Sequence, residues 1–174
     1  MPARYPIMAI LVTALVAFLI LAAFRAWRSR AGAQENIFSA PLEWLEHPSG
    51  SQQWTRINYV ATTVKGNSLD RITAHGLGAR GNGRVTISAD GILIERNGER
   101  SIGIAGKQVT GISRASTAID RAVETDGLIQ IDWVQDGYAM STFLRSSRTD
   151  ERNQIFQYLE SLYGAGNNQE TKND

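Results

Sequence analysis

The sequence predicts an N-terminal transmembrane helix joined to an all-β or α+β domain of about seven antiparallel strands and one C-terminal helix. Three observations carry that expectation. Ile7 to Phe24 is an eighteen-residue run whose only polar side chain is Thr13. Three Asx-Gly pairs, Asp90-Gly91, Asn97-Gly98 and Asp136-Gly137, interrupt runs that alternate apolar and polar residues. Ile155, Leu159 and Leu162 then recur at helical spacing near the C-terminus.

At a rise of about 1.5 Å per residue, the apolar run makes a helix of about 27 Å, close to the hydrocarbon thickness of a bilayer. A secretory signal has a shorter apolar core and a small-residue cleavage site. Here the core is longer, and Ala31-Gly32-Ala33, which imitates such a site, follows Arg25, Arg28 and Arg30. Residues 1–30 therefore read as an uncleaved anchor with a basic flank. Only Arg4 and the α-amino group stand on the other side, so the positive-inside bias places the N-terminus outside and the C-terminal domain in the cytoplasm. Tyr5 and Trp27 bracket the run at the two membrane interfaces. The three arginines are expected to set topology first and to touch anionic lipid second.

Beyond Arg30, fourteen basic residues face seventeen acidic ones, a net charge of −3. That balance gives no electrostatic reason to expect nucleic acid. The chain has no cysteine, which removes disulfides and thiolate chemistry. Ser29 to Asn36 is small and polar, and residues 31–53 read as a juxtamembrane linker. Within it Ser39 can cap a short helix with Pro41 in its first turn and His47-Pro48 at its end. Leu42, Trp44 and Leu45 would pack that helix on the domain rather than on lipid, because Glu43 and Glu46 are repelled by anionic headgroups.

The domain is expected over residues 54–164. Trp54 to Val64 reads as a first strand or as an N-terminal extension. Arg71 to Ala74, Val85 to Ser88, Ile92 to Arg96, Arg100 to Ile104, Gln108 to Ser113, Leu128 to Gln135 and Tyr138 to Leu144 make seven strands. The Asx-Gly pairs between them suit type I′ turns, which need positive φ at both central residues. Inward candidates are Val85, Ile87, Ile92, Ile94, Ile102, Ile104, Val109, Ile129, Ile131, Trp133 and Phe143. Thr117 to Glu124 suggests a helical turn. Thr149 or Ser147 would cap the last helix, with Asp150 and Glu151 against its positive end and Gly164 after it. Residues 165–174 read as a disordered polar tail.

Seven antiparallel strands followed by one amphipathic helix is the plan of the pleckstrin-homology (PH) superfold. The anchor, Ser88-Ala89-Asp90-Gly91-Ile92-Leu93, Ile104-Ala105-Gly106-Lys107-Gln108-Val109-Thr110-Gly111-Ile112 and the closing helix resemble actinobacterial single-pass membrane proteins with a PH-like domain. The resemblance implies a membrane-tethered binding or scaffolding module and carries over no catalytic signature. It also implies that basic residues on the first inter-strand loop, Arg80 and Arg84 with Arg71 near them, contact lipid headgroup phosphates.

Gly76-Leu77-Gly78-Ala79-Arg80-Gly81 matches G-x-G-x-x-G, but a strand rather than a helix is expected after it. A dinucleotide pyrophosphate would find no helix N-terminus, so the run reads as a hairpin loop. Its glycine amides beside two arginines would suit an anion. His47 and His75 are isolated and read as surface residues rather than as metal ligands. Asp132 and Asp136 flank Trp133 and Val134 as ordinary strand carboxylates, and no nucleophile elbow occurs. No cofactor is implied. The expected function is a non-enzymatic interaction or scaffolding module at the membrane, with the lipid bilayer and an unidentified protein as partners. An accessory part of a transport or export system is the alternative, and a tethered enzyme ranks last.

Overall fold

The computed structural model describes residues 4–35, 38–42, 50–118, 121–122 and 127–164. Helix α1 (Arg4–Glu35) carries the apolar run. Its 19-residue stretch Met8–Ala26 is long and apolar enough to cross a membrane, a property that spans and signal sequences share. The Thr13 hydroxyl donates to the Ala9 carbonyl at 2.9 Å, so its one polar group is satisfied within the helix. The helix does not stop at the basic flank: Ser29 to Glu35, read above as linker, continue it. Ala31, Ala33, Gln34 and Glu35 are good helix formers, and the run holds no proline to end it. Arg25 is exposed on α1. Tyr5, Trp27, Arg28 and Arg30 belong to α1 by backbone, and their side chains lie outside the described set.

The domain is built from β1 (Gln52–Val64), β2 (Asn67–Arg71), β3 (Gly81–Ser88), β4 (Gly91–Arg96), β5 (Ile102–Ala105), β6 (Val109–Ala115), β7 (Thr117–Ala118), β8 (Arg121–Ala122), β9 (Leu128–Gln135), β10 (Tyr138–Ser146) and α2 (Thr149–Tyr163). One antiparallel sheet runs β5-β4-β3-β1-β10-β9-β6, with β2 paired to β1, and β7 pairs β8 apart from it. Seven strands thus lie along the main path, and one helix follows them. Of the two readings of Trp54 to Val64, the first strand holds, and Arg71 to Ala74 does not open the sheet. Arg71 to Ala74 is the end of β2 and the approach to a short 3-10 turn, Ala74–Gly76, while the first long strand is β1. The N-terminal part of β1 pairs β3 and its C-terminal part pairs β10. Register shifts between Thr55 and Ile57 and between Tyr59 and Ala61 interrupt its alternation, which leaves its period-two pattern weak.

Four local expectations also change. Thr117 to Glu124 is no helical turn in its described part, because Thr117 pairs with Ala122 and Ala118 with Arg121. Ser39 starts no helix: the described residues there are non-helical, and Leu42 bridges Gly103. Glu43 to Ser49, including His47, fall outside the described residues. Of the three Asx-Gly pairs, only Asp136 (φ 51) and Gly137 (φ 83) both take positive φ, between Gln135 and Tyr138. The β3–β4 turn is Ala89-Asp90, with Gly91 already pairing Ser88, and β4 reaches β5 through a longer loop. The α2 N-cap is Arg148, without a side-chain cap. Ser146, two residues earlier, instead donates to Glu151 and accepts from the Arg148 amide.

Ile155 and Leu159 of α2 close the main core over Ile57, Tyr59, Val85, Ile87, Ile92, Ile94, Ile102, Ile104, Ile129, Ile131 and Trp133. Val109 packs at its margin, partly buried. Phe143, expected there, lies instead with Val60 and Leu128 in a second small cluster, since its neighbours Met140 and Leu144 take the inward positions of β10. A directed polar chain crosses the main core. Trp133 Nε1 donates to Thr142 Oγ1 (3.0 Å), which lies 2.7 Å from Thr62 Oγ1, itself 2.7 Å from the Tyr59 hydroxyl. The Tyr59 hydroxyl donates to the Leu77 carbonyl at 2.6 Å. An indole N–H only donates and a carbonyl only accepts, so each hydroxyl along the way accepts once and donates once.

Candidate functional site

The chain of hydroxyls ends in the glycine run, and the run itself faces inward. Leu77 is buried and anchors it, between Gly76 (φ 75) and Arg80, which is exposed. Arg96, at the end of β4, is 5% exposed. Its Nη1 donates to the carbonyls of Gly76 (2.7 Å) and Ala79 (2.6 Å), and its Nη2 donates to that of Arg100 (2.8 Å). Arg71 Nη1 donates to the Gly78 carbonyl at 3.3 Å. Carbonyls from Gly76, Leu77, Gly78 and Ala79 therefore all accept from the protein's own side chains. An anion-binding loop presents amides instead. The run is a cage for guanidinium groups, and they are already in it.

Burial drives the Arg96 pKa below the ordinary arginine value, with Tyr59 and Glu99 acting in the opposite direction. Its guanidinium also sits 4.7 Å from the centroid of the Tyr59 ring, a cation–π contact in a desolvated place. Arginine keeps its charge in such a setting. Burial likewise pushes the Tyr59 phenol well above the usual tyrosine range, so it remains a neutral donor.

The three arginines expected to share an anion are committed differently. Arg71 holds Gly78. Arg84 forms a two-pronged pair across the strands with Glu95, at 2.7 and 3.1 Å. Arg80 lies on the surface. His75, read above as a surface residue, is half-buried instead: it takes φ 50 and its Nε2 bonds the Phe38 carbonyl. Asp132 accepts from Ser141 (2.6 Å) and Gln130 (2.8 Å) and pairs with Lys65 at 3.5 Å. Asp136 serves the β9–β10 turn. No group of three His, Cys, Asp or Glu able to hold a metal occurs among the described residues.

A polar cleft of about 610 Å³ opens on the solvent side of β1, β3 and β4, lined by Arg56, Asn82, Arg84, Glu95, Arg96 and Asn97 among others. Gly83 forms part of its wall, where an added Cβ would meet the Glu95 carbonyl oxygen at 1.7 Å. Arg56 is the residue that sequence reasoning missed. It is the extra residue of the β1 bulge, between Thr55 opposite Arg84 and Ile57 opposite Gly83, and it takes φ 62. Its side chain is exposed and has no partner among the described residues. A bulge leaves no mark in a single sequence, because it is visible only when two strands are laid side by side.

A family model described as "Bacterial PH domain-like" matches residues 42–160. No match is found among curated proteins. Among solved structures, a chain of "The 8S snRNP Assembly Intermediate" is similar at 15% identity and a TM-score of 0.48, covering 78% of this chain and 96% of that one. A chain of the "Structure of the Spt16D Pob3N heterodimer" is similar at 10% identity and a TM-score of 0.40, covering 68% of this chain and 53% of that one. The chain belongs to the bacterial PH domain-like family.

Proposed function

We propose that this PH-like protein is a single-pass membrane protein, N-terminus outside and domain in the cytoplasm, whose domain is a non-enzymatic binding or scaffolding module for a protein partner. The observation that carries the reading is the short strap between anchor and domain. α1 ends at Glu35, and three residues later Phe38 is buried, with its ring 5.2 Å from that of Tyr138 in an edge-on contact. Ala40 accepts from Gln135 Nε2 (3.0 Å), and Leu42 accepts from the Gly103 amide (2.9 Å). A domain fastened this closely to an apolar helix works at the surface that the helix enters. The arginine cluster after the apolar run supplies the direction.

Binding rather than catalysis is supported by what the polar groups near the glycine run do, which is to hold the fold together. Of these three arginines, exposed Arg80 is the one placed to meet an anionic headgroup, since Arg71 and Arg84 already hold Gly78 and Glu95. Epitope tags at each terminus test the topology. Protease added to whole cells should remove the N-terminal tag and spare the C-terminal one, and the reverse pattern would overturn the orientation. Crosslinking in native membranes should then capture a specific protein. Recovery of lipid alone would sink the interaction reading.

A further inference from the structure

We propose that the cleft between β1, β3 and β4 docks an acidic peptide segment of the protein partner, with the Arg56 guanidinium receiving a carboxylate. The inference deepens the interaction-module reading and rests on it. Four features of the cleft lead there. The first is the β-bulge, which takes Arg56 out of the ladder with β3 and re-aims its side chain. The second is the backbone: φ 62 at an arginine is a conformation that a long side chain adopts only when its surroundings impose it. The third is charge. Arg84 is neutralised by Glu95, whereas Arg96 beneath the cleft is held by carbonyls and Arg56 has no partner among the described residues. With Glu99 acting on Arg96 and Glu95 on Arg84, the charge left over is that of Arg56, whose guanidinium can still form a bidentate pair. The fourth is the lining. Asn82, Asn97 and Ser101 offer both donors and acceptors, matching the N–H and C=O groups of a peptide backbone.

The same features select against a phosphate cluster. A phosphomonoester carries nearly two negative charges and is held by several free cations. Among the described residues, this cleft has one uncommitted guanidinium and a carboxylate, Glu95, in its wall. A single carboxylate presented on an extended backbone fits that balance.

The test uses the full chain in detergent micelles and a fluorescein-labelled tetraglutamate peptide, read by fluorescence polarisation. Tetraglutamate should bind and tetraglutamine should not. Arg56→Gly should weaken binding about tenfold while leaving the melting temperature unchanged or raised, because glycine accepts positive φ without strain. Arg80→Ala should leave binding as it is. Failure of tetraglutamate to bind at millimolar concentration overturns the proposal, as does binding indifferent to Arg56→Gly. Displacement by inorganic phosphate beyond that caused by chloride at equal ionic strength overturns the carboxylate assignment, as does Arg56-dependent binding to anionic vesicles in place of peptide. Crosslinked capture of a partner tests the interaction reading separately. Capture retained without tetraglutamate binding therefore removes this site alone.

Discussion

The Tyr59 hydroxyl donates to the Leu77 carbonyl at 2.6 Å, and through that bond the sheet holds the loop that the glycines open. Behind Tyr59 stand Thr62, Thr142 and Trp133, each able to point its hydrogen in only one direction. Beside it, Arg96 lies over the ring and grips the same loop through Gly76 and Ala79. The loop is held from within by these buried bonds.

Thr142→Val tests the directed chain. It leaves the buried Trp133 N–H without its acceptor and Thr62 without its donor, at a cost of about 1–3 kcal/mol. Thr62→Val should cost a similar amount, and the two together less than their sum, because both break one network. Thermal or denaturant unfolding of the two single variants and the double one measures this. Strict additivity would sink the network interpretation.

Arg96→Met should destabilise by about 2–4 kcal/mol, because the carbonyls of Gly76, Ala79 and Arg100 lose a buried charged donor. Arg96→Lys should recover little, since one ammonium cannot reproduce a planar fork spread over three acceptors. Arg84→Ala is the control. Its side chain is 50% exposed, and removing its pair with Glu95 should cost less than about 1 kcal/mol. The two melting temperatures should differ clearly, and equal losses would contradict the burial argument.

Gly103→Ala should release the strap. The added Cβ would stand 2.3 Å from the Leu42 carbonyl oxygen, so the bridge between Leu42 and β5 cannot form. Limited proteolysis should then cut between α1 and β1 faster than in the parent chain, while binding of tetraglutamate in the β1–β3–β4 cleft persists. An unchanged cleavage rate would mean that Phe38 holds the strap by itself.

Alkaline pH should destabilise the domain. Burial holds the Tyr59 phenol well above the ordinary value of 10.0 and, with Asp90 and Tyr158 adding to it, pushes Tyr163 up to about 12. The unfolded chain releases these protons near pH 10 and the folded chain does not, so the unfolded state binds fewer protons above that point. The stabilisation is complete below about pH 10 and is lost progressively as the pH climbs towards the raised values. Melting curves from pH 8 to 11.5 should show the decline, less steeply in Tyr163→Phe. Parallel profiles for parent and variant would remove Tyr163 from the account.

Much of the sheet was legible from residues alone, for local reasons. Val85-Thr86-Ile87-Ser88 and Ile92-Leu93-Ile94-Glu95-Arg96 show their pairing in alternation and turn chemistry, and they pair with Val85 opposite Ile94 and Ile87 opposite Ile92. Where alternation breaks, legibility ends. β1 carries three register shifts, and residues alone leave it as a first strand or an N-terminal extension, not as the strand that joins both halves of the sheet. Arg56 went unseen for the same reason. The arginines that composition singled out, Arg71 and Arg84, turned out to have partners inside the domain. Arg96, read only as the end of a strand, proved to be the buried one.

By itself the sequence determined the apolar helix, the strands that flank the Asx-Gly pairs and the closing helix, because hydropathy period and turn residues are properties of neighbours in the chain. Tertiary structure alone decided which charges remain available. Arg84 meets Glu95 across eleven residues, Arg96 meets Gly76 across twenty, and Arg56 meets no partner among the described residues. Whether a guanidinium is structural or free depends on what the fold carries to within hydrogen-bond distance, and separation along the chain does not encode that distance.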